Sequence, residues 1–147
     1  MKRCARGRMK TLLDTDVFSE VLKGRHTEIC RRAEGYLAEH GQFPISVITV
    51  LEVVSGVRRS GSPAHLAGFL KRLALVEVLE FHREAAQLSG KIYADLARAG
   101  RPIGIADTII AGIAISHALP LATGNSAHFG FVHEAGYPLE IVDWKVP

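Results

Sequence analysis

Apolar positions along this chain fall into two alternating kinds of run. Some are short and nearly continuous; others are longer, with apolar residues three and four apart. Short continuous runs suit strands buried on both faces, and the longer pattern suits amphipathic helices. Thr11-Leu12-Leu13 reads as a first strand, and Val17, Phe18, Val21 and Leu22 then recur at helical spacing up to Gly24. A second helix is expected over roughly 28–39, closed by Gly41. Phe43-Pro44-Ile45 reads as a strand, and Ser46 as the cap of a helix carrying Val50, Val53, Val54 and Val57. The Gly61-Ser62-Pro63 turn starts another helix through Leu73, and 75–81 is rich in strand formers. Ala85, Leu88, Ile92 and Leu96 mark one face of a long helix ending at Gly100. Ile105, Ile109, Ile113 and Ala114 mark another, after the Arg101-Pro102 turn. Strands over 119–122 and 139–142 complete the series. Alternation of this kind predicts an α/β domain with a mostly parallel sheet.

Composition agrees with one folded domain. The 147 residues are 48% hydrophobic and 22% charged, ordinary for a globular chain and unlike a disordered one. Lys and Arg total 18 against 15 acids, a formal charge of +3, which permits nucleic-acid binding without requiring it. Much of that excess sits in residues 1–8, MKRCARGR, read as a basic extension ahead of a natural start at Met9, with residues 9–147 as the domain. No apolar segment of signal-peptide length follows this basic run, and 103–122 is interrupted by Asp107, Ser116, His117 and Pro120. A cytoplasmic protein that does not enter a membrane is expected. Cys4 and Cys30 make neither a paired-cysteine motif nor a disulfide framework.

Four polar residues lie at element boundaries amid apolar neighbours. Asp14 ends the first strand, Glu52 follows the second, Asp107 opens a strongly apolar helix, and Asn125 follows the strand at 119–122. Parallel α/β sheets bind ligands beyond the carboxyl ends of their strands, where Asp14 and Asn125 fall directly and helices can carry Glu52 and Asp107. Clustered carboxylates repel one another, a conflict that a hard divalent cation such as Mg²⁺ or Mn²⁺ removes. The implied chemistry is hydrolysis of a phosphate ester. Each residue also has a plainer role: Asp14 as a helix cap, Asp107 as a partner of the helix dipole, Glu52 as an exposed helix position, Asn125 as a turn residue.

The segments LLDTDVFSE at 12–20, ISVITVLEVVSG at 45–56, RPIGIADTIIAGIAISHALPLATGN at 101–125 and the final IVDW resemble the PIN-domain ribonucleases, most closely the VapC and FitB-like toxins of toxin–antitoxin pairs. The resemblance implies a three-layer α/β/α sandwich around a parallel sheet of about five strands. It implies a metal-dependent endoribonuclease whose catalytic and metal-binding residues are Asp14, Glu52 and Asp107, with Asn125 at a fourth position and one bound Mg²⁺ or Mn²⁺. Thr15, Asp16 and Thr123 are supporting candidates. Products with a 3′-hydroxyl and a 5′-phosphate, a small cognate antitoxin and a homodimer, in complex with that antitoxin or alone, are implied too.

Two positions depart from the family pattern. Asn125 stands where many members have Asp, in a Thr123-Gly124-Asn125 segment that also lacks the Arg of related T-R-N segments; Asp16 stands where Asn is usual. Arg58, Arg59 and Arg101 are candidates for drawing in the RNA backbone. Rival readings are a PIN-like module that binds RNA or protein without catalysis, and a haloacid-dehalogenase-like phosphatase with Asp14 as nucleophile and Asp16 as acid. Against the phosphatase, Thr123 follows Asp107 instead of preceding the distal acidic motif, and only Lys145 remains as a catalytic lysine. A zinc site at His128 and His133 lacks a third ligand placed by a motif.

Overall fold

The computed structural model describes residues 9–147, so the expectation for the basic segment 1–8 lies outside the described residues. Five strands form one sheet: β1 (Leu12–Leu13), β2 (Phe43–Ser46), β3 (Val76–Leu79), β4 (Leu121–Ala122) and β5 (Ile141–Val142). Their spatial order is β3-β2-β1-β4-β5, and every neighbouring pair is parallel. Among the described residues, seven α-helices and a short 3-10 turn at Leu73–Leu75 connect and cover them: α1 (Thr15–Lys23), α2 (Thr27–His40), α3 (Val47–Arg59), α4 (Pro63–Arg72), α5 (Arg83–Arg98), α6 (Ile105–Ser116) and α7 (Ser126–Glu134).

The register explains how two-residue strands hold two cores. Val78, Ile45, Leu13, Ala122 and Val142 are consecutive partners across the sheet, and all five belong to the core under α1, α2, α3 and α4, with Phe18, Ile29, Tyr36 and Phe69. One residue earlier, Leu12 pairs with Leu121 and Leu121 with Ile141. These point to the opposite face, into the core of α5, α6 and α7 with Ile92, Ile110, Ile113 and Phe129. Successive residues of a strand face opposite sides. With helices on both sides neither residue can be polar, which is why the runs read as continuous. The result is the expected α/β/α sandwich.

Helix α6 is the most deeply set, with Ile110, Ala111, Ile113 and Ala114 fully buried. It lies so close to α5 that a Cβ on Gly112 would stand 2.0 Å from Ser89 Oγ and 2.9 Å from the Ala85 carbonyl. Glycine is required there for the two backbones to approach.

The structure corrects several expectations. Helix α7 was not anticipated. It buries only Phe129 and Val132 and contains Gly130, so its helical stripe is too short to stand out. The strand assignments at 11–13, 75–81, 119–122 and 139–142 shrink to the residues that ladder, because only those pair with a neighbouring strand.

Candidate active site

Strand order reverses at β1, whose chain continues to β2 on one side while β4 lies on the other. A crevice opens at such a switch point beyond the strand ends, and there Asp14 follows β1 while Thr123 follows β4. Asp14 N–H donates to the Ala122 carbonyl at 2.9 Å, and Asp14 is only 5% exposed. Its carboxylate does two things at once. Oδ1 caps α1 by accepting the Thr15 N–H at 2.8 Å, and Oδ2 accepts the Thr123 hydroxyl at 2.8 Å. Capping was the plainer reading of this residue, and Oδ1 does cap α1.

Glu52 reaches the same place through a hydroxyl. Ser46 caps α3 by accepting the Thr49 N–H at 3.1 Å. With that helix start fixed, Thr49 and Glu52 lie one turn apart and face α1 together. Thr15 Oγ1 donates to Glu52 Oε1 at 2.7 Å and lies 3.0 Å from Thr49 Oγ1. On the other side, Asp107 in the first turn of α6 accepts from Asn125 Nδ2 at 3.3 Å, and the Asn125 N–H donates to Thr123 Oγ1 at 2.9 Å. Hydrogen bonds therefore run without a break from Asp107 through Asn125 and Thr123 to Asp14, and on through Thr15 to Glu52. Residues separated by up to 109 positions are joined in one network.

Burial dominates the electrostatics. It pushes the Asp14 carboxyl from an ordinary 3.8 up to about 7, and the negative charges of Asp16 and Asp107 add to the rise, while the Thr123 and Thr15 hydrogen bonds oppose it. Asp16, more exposed, is braced by the Val17 N–H at 2.7 Å and the Gly124 N–H at 2.8 Å, so it clamps the start of α1 to the loop after β4.

The donors suit a hard divalent cation: all are oxygens, and among the described residues no cation pairs with the most buried carboxylate. As they stand, no three His, Cys, Asp or Glu side chains among the described residues are arranged to hold an ion. Glu52 is drawn to its threonines and Asp107 to Asn125. Mg²⁺ does not demand an all-protein cage, since it keeps several waters and takes one or two carboxylates.

Among the described residues, none of the candidate arginines forms an ion pair with the acids of this network. Arg101 pairs with Glu134 and stacks over Phe131, 5.1 Å from the ring centre. Arg58 and Arg59 close α3, roughly 10 Å along the helix from Glu52 at 1.5 Å per residue. The two histidines considered for zinc are separated in role: His128 Nδ1 lies 3.1 Å from Asn125 Nδ2 and 3.6 Å from Asp107 Oδ2, while His133 bonds the Leu139 carbonyl. Thr49 and His128 were missed as members of the site. The spacing Ser46–Thr49–Glu52, three residues at each step, is the signal that points to Thr49.

An acid after β1, an acid on α3 and an acid opening α6 are thus joined at the switch point of the sheet, and the chain that carries them matches a known family. The PIN domain family model covers residues 11–130. The chain belongs to the PIN-domain family. Among curated relatives, the tRNA(fMet)-specific endonuclease VapC of Shigella flexneri is 34% identical over 125 residues, 82% of this chain and 90% of the relative. Among solved structures, DNA-bound VapBC from Salmonella typhimurium superposes with a TM-score of 0.77 at 31% identity, covering 92% of this chain and 98% of the other. A VapBC complex of nontypeable Haemophilus influenzae gives 0.79 at 28% identity, covering 94% and 100%. These VapBC structures share the fold of this chain.

Proposed function

We propose that this PIN-domain chain is the toxin of a toxin–antitoxin pair: an endoribonuclease that hydrolyses RNA phosphodiesters with a Mg²⁺ or Mn²⁺ ion held by Asp14, Glu52 and Asp107. The observation that carries this reading is the hydrogen-bonded line from Asp107 to Glu52, with a deeply buried carboxylate at its centre. A structural cap needs no such company. Asp14 spends charge in a place where burial disfavours it, and a site that does so is a functional candidate on physical grounds.

The bound cation would supply charge to polarise a phosphoryl oxygen and to lower the pKa of water. Thr15 and Thr123 fix the orientation of the carboxylates, and Asn125 holds Asp107 through its amide while adding no charge of its own. Asp16 fixes the loop that carries Asn125. The partner is a small antitoxin whose Arg or Lys enters the acidic crevice. Exposed Leu51, Leu70 and Ile105, at 63%, 50% and 59%, support apolar contact with another chain, including a second copy. Among the described residues no helix is long and apolar enough to cross a membrane.

The named activity of the Shigella flexneri relative supplies the probe. Purified chain, freed of any antitoxin, is incubated with initiator tRNA and with unrelated structured RNA in Mn²⁺ and in EDTA. Cleavage in Mn²⁺ that yields 5′-phosphate ends is expected. An RNA bound but left whole in Mn²⁺ would favour the binding module without catalysis.

A further inference from the structure

A cluster containing Asp14, Asp16, Glu52 and Asp107 repels the RNA backbone, so a cation at its rim is needed to bring a phosphate alongside. Of the arginines singled out by sequence, Arg101 is engaged by Glu134, and Arg58 and Arg59 close α3 beyond Glu52. Lys145 stands beside Gly124 at that rim. Trp144 is only 4% exposed, its ring centre 5.8 Å from that of Tyr36. The Lys145 N–H donates to Asp143 Oδ1 at 2.8 Å, and Arg32 Nη2 donates to the Val146 carbonyl at 2.6 Å. The backbone on both sides of Lys145 is thereby held, and its stem leaves from a fixed point.

Its ammonium lies over the loop between β4 and α7. A Cβ placed on Gly124 would be 3.5 Å from Lys145 Nζ and 2.7 Å from Asp16 Oδ2. Gly124 lies between Thr123, which bonds Asp14, and Asn125, which bonds Asp107. The Lys145 head therefore stands in van der Waals reach of position 124, on the same loop that carries Thr123 and Asn125, and it is Asp16 Oδ2 that a side chain at 124 would crowd. Lys145 is exposed, and among the described residues it makes no ion pair within 4.0 Å. Its charge is thus available to a ligand.

We infer that Lys145 binds a backbone phosphate of the RNA at the rim of the acidic cluster, beside Gly124. The inference rests on the ribonuclease reading and adds a substrate-binding residue to it. A lysine that neutralises a phosphate releases condensed counterions, so its contribution fades with salt in a defined way: for single strands each contact adds about 0.7 to the slope of log affinity against log salt.

The test is steady-state cleavage of a short single-stranded RNA in fixed Mn²⁺ over a series of KCl concentrations. It compares the native chain with Lys145→Ala, Lys145→Arg and, as a control on α4, Lys71→Ala, with melting temperatures alongside. Lys145→Ala is expected to raise KM roughly three- to tenfold at low salt with kcat little changed, and to flatten the salt slope of kcat/KM by about 0.7. Lys145→Arg keeps the native slope, Lys71→Ala keeps both slope and KM, and all variants melt as the native chain does. A native slope and KM in Lys145→Ala would overturn the role of Lys145 alone. A native chain that cleaves no RNA in Mn²⁺ would overturn the ribonuclease reading, and this inference with it.

Discussion

Replacing Asp14 by Asn should stabilise the metal-free protein at neutral and alkaline pH. The native carboxyl is held near 7 against an ordinary 3.8. Between about pH 4 and 7 the folded chain therefore binds a proton that the unfolded chain has released, and stability falls as pH rises through that window. Above it the full difference is lost, about 4 kcal/mol at 1.36 kcal/mol per unit. Asn has nearly the same shape, keeps an oxygen for the Thr15 N–H and carries no charge to desolvate. Even half of the loss, about 2 kcal/mol recovered at pH 8, raises Tm by roughly 6 °C in a chain of this size. The assay is thermal unfolding followed by circular dichroism in EDTA from pH 4.5 to 8.5. Native Tm should fall across pH 4–7 more steeply than that of Asp14→Asn, and the two curves should separate increasingly toward pH 8. Adding Mn²⁺ at pH 8 should raise the native Tm and leave the variant nearly unmoved. The native response to Mn²⁺ should weaken below pH 7, because the Asp14 proton must leave for the ion to bind. A variant less stable than native at pH 8, with the same pH dependence, would refute burial of charge as the cost carried by this site.

Other perturbations probe the rest of the network. Thr15→Val removes the hydroxyl that holds Glu52 at 2.7 Å; a loss of about 1–2 kcal/mol in urea unfolding and a severalfold higher Mn²⁺ requirement for cleavage are expected, and an unchanged Mn²⁺ requirement would remove Glu52 from the ion's surroundings. Asn125→Asp exchanges an amide donor to Asp107 for a like charge, so the metal-free protein should lose about 1 kcal/mol while half-maximal cleavage moves to lower Mn²⁺. A weaker Mn²⁺ response would place position 125 outside the ion's reach. Gly112→Ala pushes a methyl against Ser89 and the Ala85 carbonyl; overpacking of about 1–3 kcal/mol should lower Tm, and a native Tm would mean that α5 and α6 part freely.

The sequence made the acids visible because each sits beside apolar neighbours that fix its position: Asp14 after a doubly buried Leu12–Leu13 and Asp107 at the head of α6. The layered fold followed from alternating runs, but the order β3-β2-β1-β4-β5 was not legible, since two-residue strands carry no register signal of their own. What escaped were pairings made across the fold. Arg101 looked free for RNA, yet its partner Glu134 lies on α7, a helix whose two buried residues are too few to announce it. Thr49 read as ordinary helix, because its partner Thr15 is 34 positions away. Lys145 drew notice only as a rival enzyme's lysine; its relation to Gly124 exists solely after β4 and β5 lie side by side.

The proposed function requires Asp14, Glu52 and Asp107 to carry ribonuclease activity through a divalent cation. The most direct measurement is the Mn²⁺ dependence of RNA cleavage by the native chain and by Asp107→Asn, each confirmed as folded by circular dichroism. The native chain should be silent in EDTA and gain activity along a saturable Mn²⁺ curve, with Asp107→Asn at least about 100-fold slower at every concentration, the scale on which loss of a transition-state-stabilising group is felt. Native rates in EDTA, or a fully active Asp107→Asn, would contradict the claim.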